Sequence, residues 1–269
     1  MQCALTSGRL ILIRLVAFVL AALLLLALAS GCAQSRRADR AVFDSGYAAF
    51  QAGRWSRAVT DFSRYLRMDP DSPDRGEVYY YRGQALVHLE RRPEAKADFL
   101  RAIGADARPP IDQFARVALG NLYYEECDDV EAVKQYAAVL ANPHEEVPVP
   151  HLLLRTGVAL QRLGQWEKGR RYLEYLMVHH SDSAAARQAA RYAAADAFRV
   201  QTGAFSAKAS AAAQARKVRQ AGFTPRLAKV TSSGRRLTAV QVGRERTYSD
   251  AATLAQRLRR AGFNTLIVP

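Results

Sequence analysis

Four glycines, Gly46, Gly83, Gly120 and Gly157, stand 37 residues apart. Two further columns keep the same spacing: Ala58, Ala95, Ala132 and Gly169, then Phe62, Phe99, Tyr136 and Leu173. Three columns in phase over four units define a stacked repeat, whose units bury their apolar faces against their neighbours. One long coiled coil is excluded by prolines at Pro70, Pro73, Pro93, Pro109, Pro110, Pro143, Pro148 and Pro150, each of which removes a helical hydrogen bond and crowds the preceding turn. The spacing predicts two helices per unit. The first spans 43–53 in unit one, with Gly53 suited to its end. The second places Ala58, Phe62 and Tyr65 on one face at i, i+4 and i+7, and Pro70 closes it. An alanine-rich helix over 183–197 is expected to cap the stack.

These positions resemble the tetratricopeptide repeat. That motif has small residues at its eighth and twentieth positions, an aromatic at the twenty-fourth and a proline near its end, and Gly46, Ala58, Phe62 and Pro70 match them. The usual period is about 34 residues. The extra residues here fall in links such as "DSP" and "ARPP". The resemblance implies an all-α solenoid over 41–197 that offers a concave face to a protein partner. In this family the first helices line that face, which makes Tyr79, Tyr80, Tyr123 and Tyr124 candidate partner contacts. Repeat packing is the competing role for such aromatics.

Near residue 198 the periodicity changes from 3.6 to 2. "FRVQTGAFS" (198–206) alternates, a helical stretch runs from Ala207 to Ala221, and "FTPRLAKV" and "RRLTAVQVG" flank a "TSSG" turn. Ser249-Asp250 can cap a helix over 250–261, and "FNTLIVP" closes the chain. The order β-α-β-β-α-β predicts a small α+β domain, a four-stranded antiparallel sheet with both helices on one face. "QAGF" (220–223) and "RAGF" (260–263) mark the same step in its two halves.

Residues 197–269 resemble the SPOR domain, a peptidoglycan-binding module. The family's first strand reads Val-Gln-X-Gly-Ala-Phe, matched by Val200, Gln201, Thr202, Gly203, Ala204 and Phe205. Its third strand reads aromatic-Arg-Val-X-Val-Gly-Pro-Phe. Here Val240, Gln241, Val242 and Gly243 keep the centre, while Thr238, Ala239, Arg244 and Glu245 replace the rest. The resemblance implies binding to glycan strands stripped of their stem peptides. On it, the candidate contacts are Gln201, Ala204, Ala239 and Gln241 on the exposed sheet face, with Arg235 and Arg236 nearby. If Val200, Val240 and Val242 face the helices, Gln201 and Gln241 face outward. Their amides can then donate to and accept from sugar hydroxyls and acetamido groups.

Charge separates the two modules. Residues 41–197 carry 20 basic against 22 acidic side chains; residues 199–269 carry fourteen Lys and Arg against Glu245 and Asp250, a net +12 of the chain's +14. Stem-free muramic acids expose a carboxylate each, which a basic sheet would attract in a salt-dependent way. A basic open sheet also suits nucleic acid, but RNA-binding sheets carry exposed aromatics that Val240-Gln241-Val242 lacks.

The first residues read as an export signal. Arg9 and Arg14 precede the apolar run Leu15–Ala29, shorter than the roughly 20 residues of a membrane span. "LASGC" resembles a lipobox, with Leu28 one place early, and implies lipidation of Cys32. The organisation expected is a signal at 1–31, a tether at 32–40, repeats at 41–197 and the basic domain at 198–269. Acyl chains on Cys32 would hold the protein on a membrane. By analogy with the sorting of the bacterial lipoproteins it resembles, Ala33 and Gln34, rather than an acid, imply the periplasmic face of the outer membrane, with the inner membrane as the alternative. Cys127 alone remains for the mature chain, so no internal disulfide is expected. The histidines His88, His144, His151, His179 and His180 show no metal-ligand spacing, and no segment is left over for a catalytic domain. The expectation is therefore a non-enzymatic envelope lipoprotein, without cofactor or metal, joining peptidoglycan and an envelope protein in cell division or wall organisation. Nucleic acid is not expected as a partner. The alternative is an outer-membrane assembly or secretion scaffold whose C-terminal domain docks protein.

Overall fold

A computed structural model of the chain describes residues 40–105, 110–232 and 234–269. The signal, most of the tether and Cys32 lie outside the described residues. The chain divides near Asp112 into two compact units. The first holds helices α1 (40–51), α2 (Trp55–Met68), α3 (Arg75–His88) and α4 (Arg92–Gly104). Across the division runs α5 (Ile111–Glu125). The second unit continues with α6 (Asp129–Leu140), α7 (Val149–Arg162), α8 (Trp166–His179) and α9 (Ala184–Ala193). It ends with β1 (Phe198–Phe205), α10 (Lys208–Gln220), β2 (Pro225–Ser232), β3 (Arg235–Glu245), α11 (Tyr248–Arg260) and β4 (Leu266–Val268). The helical solenoid is thus followed by an α+β domain in the order expected. Among the described residues no helix is long and apolar enough to cross a membrane.

The glycine and aromatic columns explain each other. A Cβ on Gly46 would lie 2.9 Å from the Phe62 ring; on Gly83, 2.7 Å from Phe99; on Gly120, 2.6 Å from Tyr136; on Gly157, 2.7 Å from the Leu173 side chain. Each glycine is the seat for the large side chain of its own unit, so the ring packs within the hairpin of helices. The alanine column Ala58, Ala95 and Ala132 is fully buried. At Gly169 a Cβ would lie 2.6 Å from the Gly157 carbonyl oxygen, so no side chain fits where the other units carry alanine.

A fourth column sits in the tight turns between paired helices. Gly53, Glu90, Cys127 and Gly164 all have positive φ, between +58° and +75°, at the same spacing of 37. Left-handed backbone is open to glycine and strained for other residues. Cys127 therefore occupies a strained turn. Cys127→Gly is expected to raise stability by about 0.5–1 kcal/mol, a gain of a few degrees in thermal midpoint by calorimetry.

The C-terminal sheet has the strand order β2-β3-β1-β4, all neighbours antiparallel. Val200, Val240 and Val242 pack with Ala211, Ala215, Val218, Ala255 and Leu258 of α10 and α11. Several boundaries differ from expectation: α9 ends at Ala193 rather than at 197, and β2 runs Pro225–Ser232 rather than over 223–230. α11 begins at Tyr248, with Thr247 as its cap: the Thr247 hydroxyl accepts from the Asp250 amide at 3.1 Å and donates to the Asp250 carboxylate at 2.7 Å.

Candidate functional site

The face of the sheet turned from α10 and α11 is built by alternation. With the valines in the core, Gln201 and Gln241 fall on the other side and pair across β1 and β3. The row continues to Arg226 on β2 and Leu266 on β4. A second row joins Ala204, Ala239 and Ala228. Between the rows β1 bulges: Thr202 is the extra residue, and its hydroxyl donates to the Val240 carbonyl at 3.4 Å. Gly203 is needed there, because a Cβ would lie 2.7 Å from the Phe205 ring.

Access on this face is uneven. Arg226 and Arg235 are exposed, and Gln201 and Ala204 are half-buried; Arg236, also exposed, falls by alternation on the side of Val240 and is removed from this face. Gln241 is only 8% exposed and Ala239 is 0% exposed. The expectation that Gln241 faces outward holds for its side of the sheet but not for its accessibility. Ala239 is removed as a contact. A methyl on a central strand lies below its longer same-face neighbours, Leu237 and Gln241.

The same face continues past the glutamines. A second irregularity in the β1–β3 pairing lets Phe198 oppose Glu245 and Val200 oppose Val242. It places Arg199 and Arg244 on the side of Gln201. Asp196 clamps both: Arg244 Nη2 donates to it at 2.8 Å and Arg199 Nη2 at 3.1 Å. The Arg244 guanidinium, with Arg199, holds the Asp196 carboxyl below its ordinary range.

Next to this end of the sheet lies the last helical pair, within the same compact unit. Trp166 Nε1 donates to the Arg246 carbonyl at 2.8 Å, and its ring centroid is 4.9 Å from that of Phe198. Arg246 Nε reaches the Gly164 carbonyl at 3.5 Å. Arg162 lies over two rings, Tyr124 at 4.3 Å and Tyr248 at 5.3 Å, and donates to Asp129 at 3.4 Å. A cleft of about 650 Å³ opens here, lined by Trp166, Lys168, Arg170, Asp196, Arg244 and Arg246 among others.

Asp129 sits beneath Arg162, 6% exposed. Burial pushes its carboxyl up to about 6 from the ordinary 3.8, against the pull of Arg162. The folded chain therefore holds a proton that the unfolded chain releases between pH 3.8 and about 6. Stability falls as pH rises through that window, and the penalty is fully present above it. Asp129→Asn removes that titration, so the variant is expected to lose less stability than the wild type between pH 3.5 and pH 7. Urea denaturation at both pH values measures it.

The tyrosines singled out from sequence are all half-buried. Tyr79 lies under Arg82 and Arg101, at 5.5 and 5.8 Å. Tyr80 accepts from Gln84 at 3.1 Å. Tyr123 packs on the core of the third pair. Tyr124 is held between Arg155, at 5.0 Å, and Arg162. Each ring thus has contacts within the molecule as well as exposed surface, and the Tyr124 ring is occupied on the side of both guanidiniums. Among the described residues no group of three His, Cys, Asp or Glu side chains is placed to hold a metal ion.

Sequence reasoning missed a polar column whose signal was the 37-residue spacing already in use. Ser45 donates to Asp61 at 2.9 Å, and one period later Arg82 donates to Asp98 at 2.6 and 2.7 Å. In the third pair the positions are Leu119 and Gln135. It also missed Trp166 and Asp196, whose partners are remote in sequence.

Residues 194–269 match the SPOR domain family. Tetratricopeptide repeat families match at 20–73 and 43–110, and at 151–183. A solved tetratricopeptide repeat protein from Parabacteroides merdae is 14% identical, over 58% of this chain and 59% of its own, with a TM-score of 0.52. MamA from AMB-1 is 22% identical, over 59% of this chain and 80% of its own, with a TM-score of 0.48. MamA from MSR-1 is 24% identical, over 58% of this chain and 84% of its own, with a TM-score of 0.45. At these identities the likeness concerns the helical fold alone. No curated protein matches the chain.

Proposed function

We propose that this chain, which carries tetratricopeptide repeats and a C-terminal SPOR domain, is a non-enzymatic envelope lipoprotein. Its SPOR sheet binds peptide-stripped glycan strands and its repeats bind an envelope protein. The SPOR family suggests peptidoglycan, and the repeats suggest a protein partner. The observation that carries the glycan reading is the row Gln201–Gln241–Arg226 on the helix-free face, whose accessible members are Gln201 and Arg226 on either side of the nearly covered Gln241, in a domain of net +12. Amides beside a guanidinium match a polymer of acetamido sugars with repeating carboxylates. The arginine and aromatic that the family places at 238–239 are absent, and Arg226 supplies the cation from the neighbouring strand. Lipid on Cys32 places the protein on the periplasmic face of the outer membrane, and cell division or wall organisation is the process it serves.

The test is co-sedimentation of the chain from residue 33 with purified sacculi. Amidase-treated sacculi, rich in stem-free strands, are expected to pull down several times more protein than untreated ones. The excess should fall as salt rises from 50 to 500 mM, as screening shortens the reach of surface charge. Equal recovery on the two kinds of sacculi sinks the glycan reading. Metabolic labelling with palmitate tests the anchor: label that persists in Cys32→Ser rules it out.

A further inference from the structure

We propose that the glycan site extends beyond the SPOR sheet, and that the first turn of α8, in the last tetratricopeptide repeat, forms its second half. The inference rests on the glycan reading above. Along the helix-free face the order is Ala204 and Ala239, then Gln201 and Gln241, then Arg199 and Arg244. Asp196 bridges those two arginines and also lines the cleft, as does Arg244 itself. The face and the cleft are therefore one continuous surface. On its far side the cleft is walled by Trp166, Lys168 and Arg170 of α8.

The cleft suits a carboxylated sugar. Four of its lining residues are cations: Lys168, Arg170, Arg244 and Arg246. Two carboxylates oppose them, with Glu167 accepting from Arg170 at 3.0 Å and Asp196 from Arg244 at 2.8 Å. The balance is positive, and Trp166 adds an aromatic wall. A stem-free glycan strand is extended and presents its carboxylate at every second sugar. A surface that continues along its axis gains another charged contact with each repeat. Asp196 is 51% exposed and already occupies the place of such a carboxylate on Arg199 and Arg244. The entering sugar acid competes with it.

The geometry of this composite surface is held by the repeat. Trp166 is bonded to the Arg246 backbone and packed on Phe198, while Arg162 covers Tyr248. At Gly164, φ is +75° and a Cβ would meet Arg246 and Thr247 side-chain carbons at 3.3 Å, so the turn before α8 lies hard against the sheet end.

The experiment measures the affinity of the chain from residue 33 for stem-free glycan strands sorted by length, by fluorescence anisotropy at 50 mM salt. Lys168→Glu/Arg170→Glu is expected to raise Kd for long strands about tenfold and to leave Kd for a two-disaccharide strand unchanged. Lys168→Ala/Arg170→Ala should do the same more weakly, about threefold. Asp196→Asn should tighten long strands severalfold by freeing two guanidiniums. Thermal midpoints within a few degrees of the wild type confirm that the exposed substitutions leave the fold intact. If the wild type binds long strands but both double variants match it, the extension is overturned and the sheet site stands. An equal loss on short and long strands also overturns it. If the wild type binds no strand, the glycan reading itself falls.

Discussion

Phe99→Ala is expected to destabilise the second repeat unit by about 4 kcal/mol, the range found when a fully enclosed aromatic is cut to a methyl. Phe99 has no exposed surface. Its ring lies against the backbone of Gly83, where even a Cβ would come to 2.7 Å. With no side chain on Gly83, nothing on that side can relax into the space. Phe99→Leu should cost only about 1–1.5 kcal/mol, because the fourth unit already carries Leu173 against Gly157 at the same position. Urea denaturation followed by far-ultraviolet circular dichroism separates the two. A loss below about 1.5 kcal/mol for Phe99→Ala would mean that the glycine seat collapses freely, and the explanation of the two columns would be wrong.

Arg82→Leu is expected to cost about 3 kcal/mol, the cost of stranding a buried charge. Asp98 is 1% exposed and takes two hydrogen bonds from Arg82, at 2.6 and 2.7 Å. Arg101 remains at 3.0 Å, but its side chain is 55% exposed and it compensates only in part. The same substitution also frees the Ser63 hydroxyl, which accepts from Arg82 at 3.0 Å. The double variant Arg82→Leu/Asp98→Gln should recover most of the loss, since it reproduces the Leu119 and Gln135 pair found one period later. Buried ion pairs replaced as a unit are often nearly neutral, whereas halves are not. If the double variant is as unstable as the single one, the pair is doing more than neutralising itself.

Both predictions depend on a period visible in the chain before any coordinates. The 37-residue spacing located every helix pair, because a stacked repeat must return the same contact at the same interval. It also carried two columns that went unread, the positive-φ turn at Gly53, Glu90, Cys127 and Gly164 and the acid at Asp61 and Asp98. Only two of the four turn positions are glycine, so composition hid the turn that geometry reveals. The candidate site was less legible. Alternation along β1 and β3 put Gln201 and Gln241 on one side of the sheet, since a strand's side chains have a period of two, and there they pair. It could not report that Gln241 is nearly covered and Ala239 wholly so.

By itself the sequence determined the local and periodic features of this protein: the helix pairs, the glycine seats, the order of strands and helices after residue 198, and the basic excess of that domain. These follow from rules that act within one helix, one strand or one repeat. Only the tertiary structure decided where the positive charge is available. It brought Asp196 onto Arg199 and Arg244, laid Arg226 beside Gln241, and set Trp166 against Arg246 and Phe198. Those contacts depend on two strand irregularities and on a docking contact between residues 80 apart in the chain, and no sequence period encodes either.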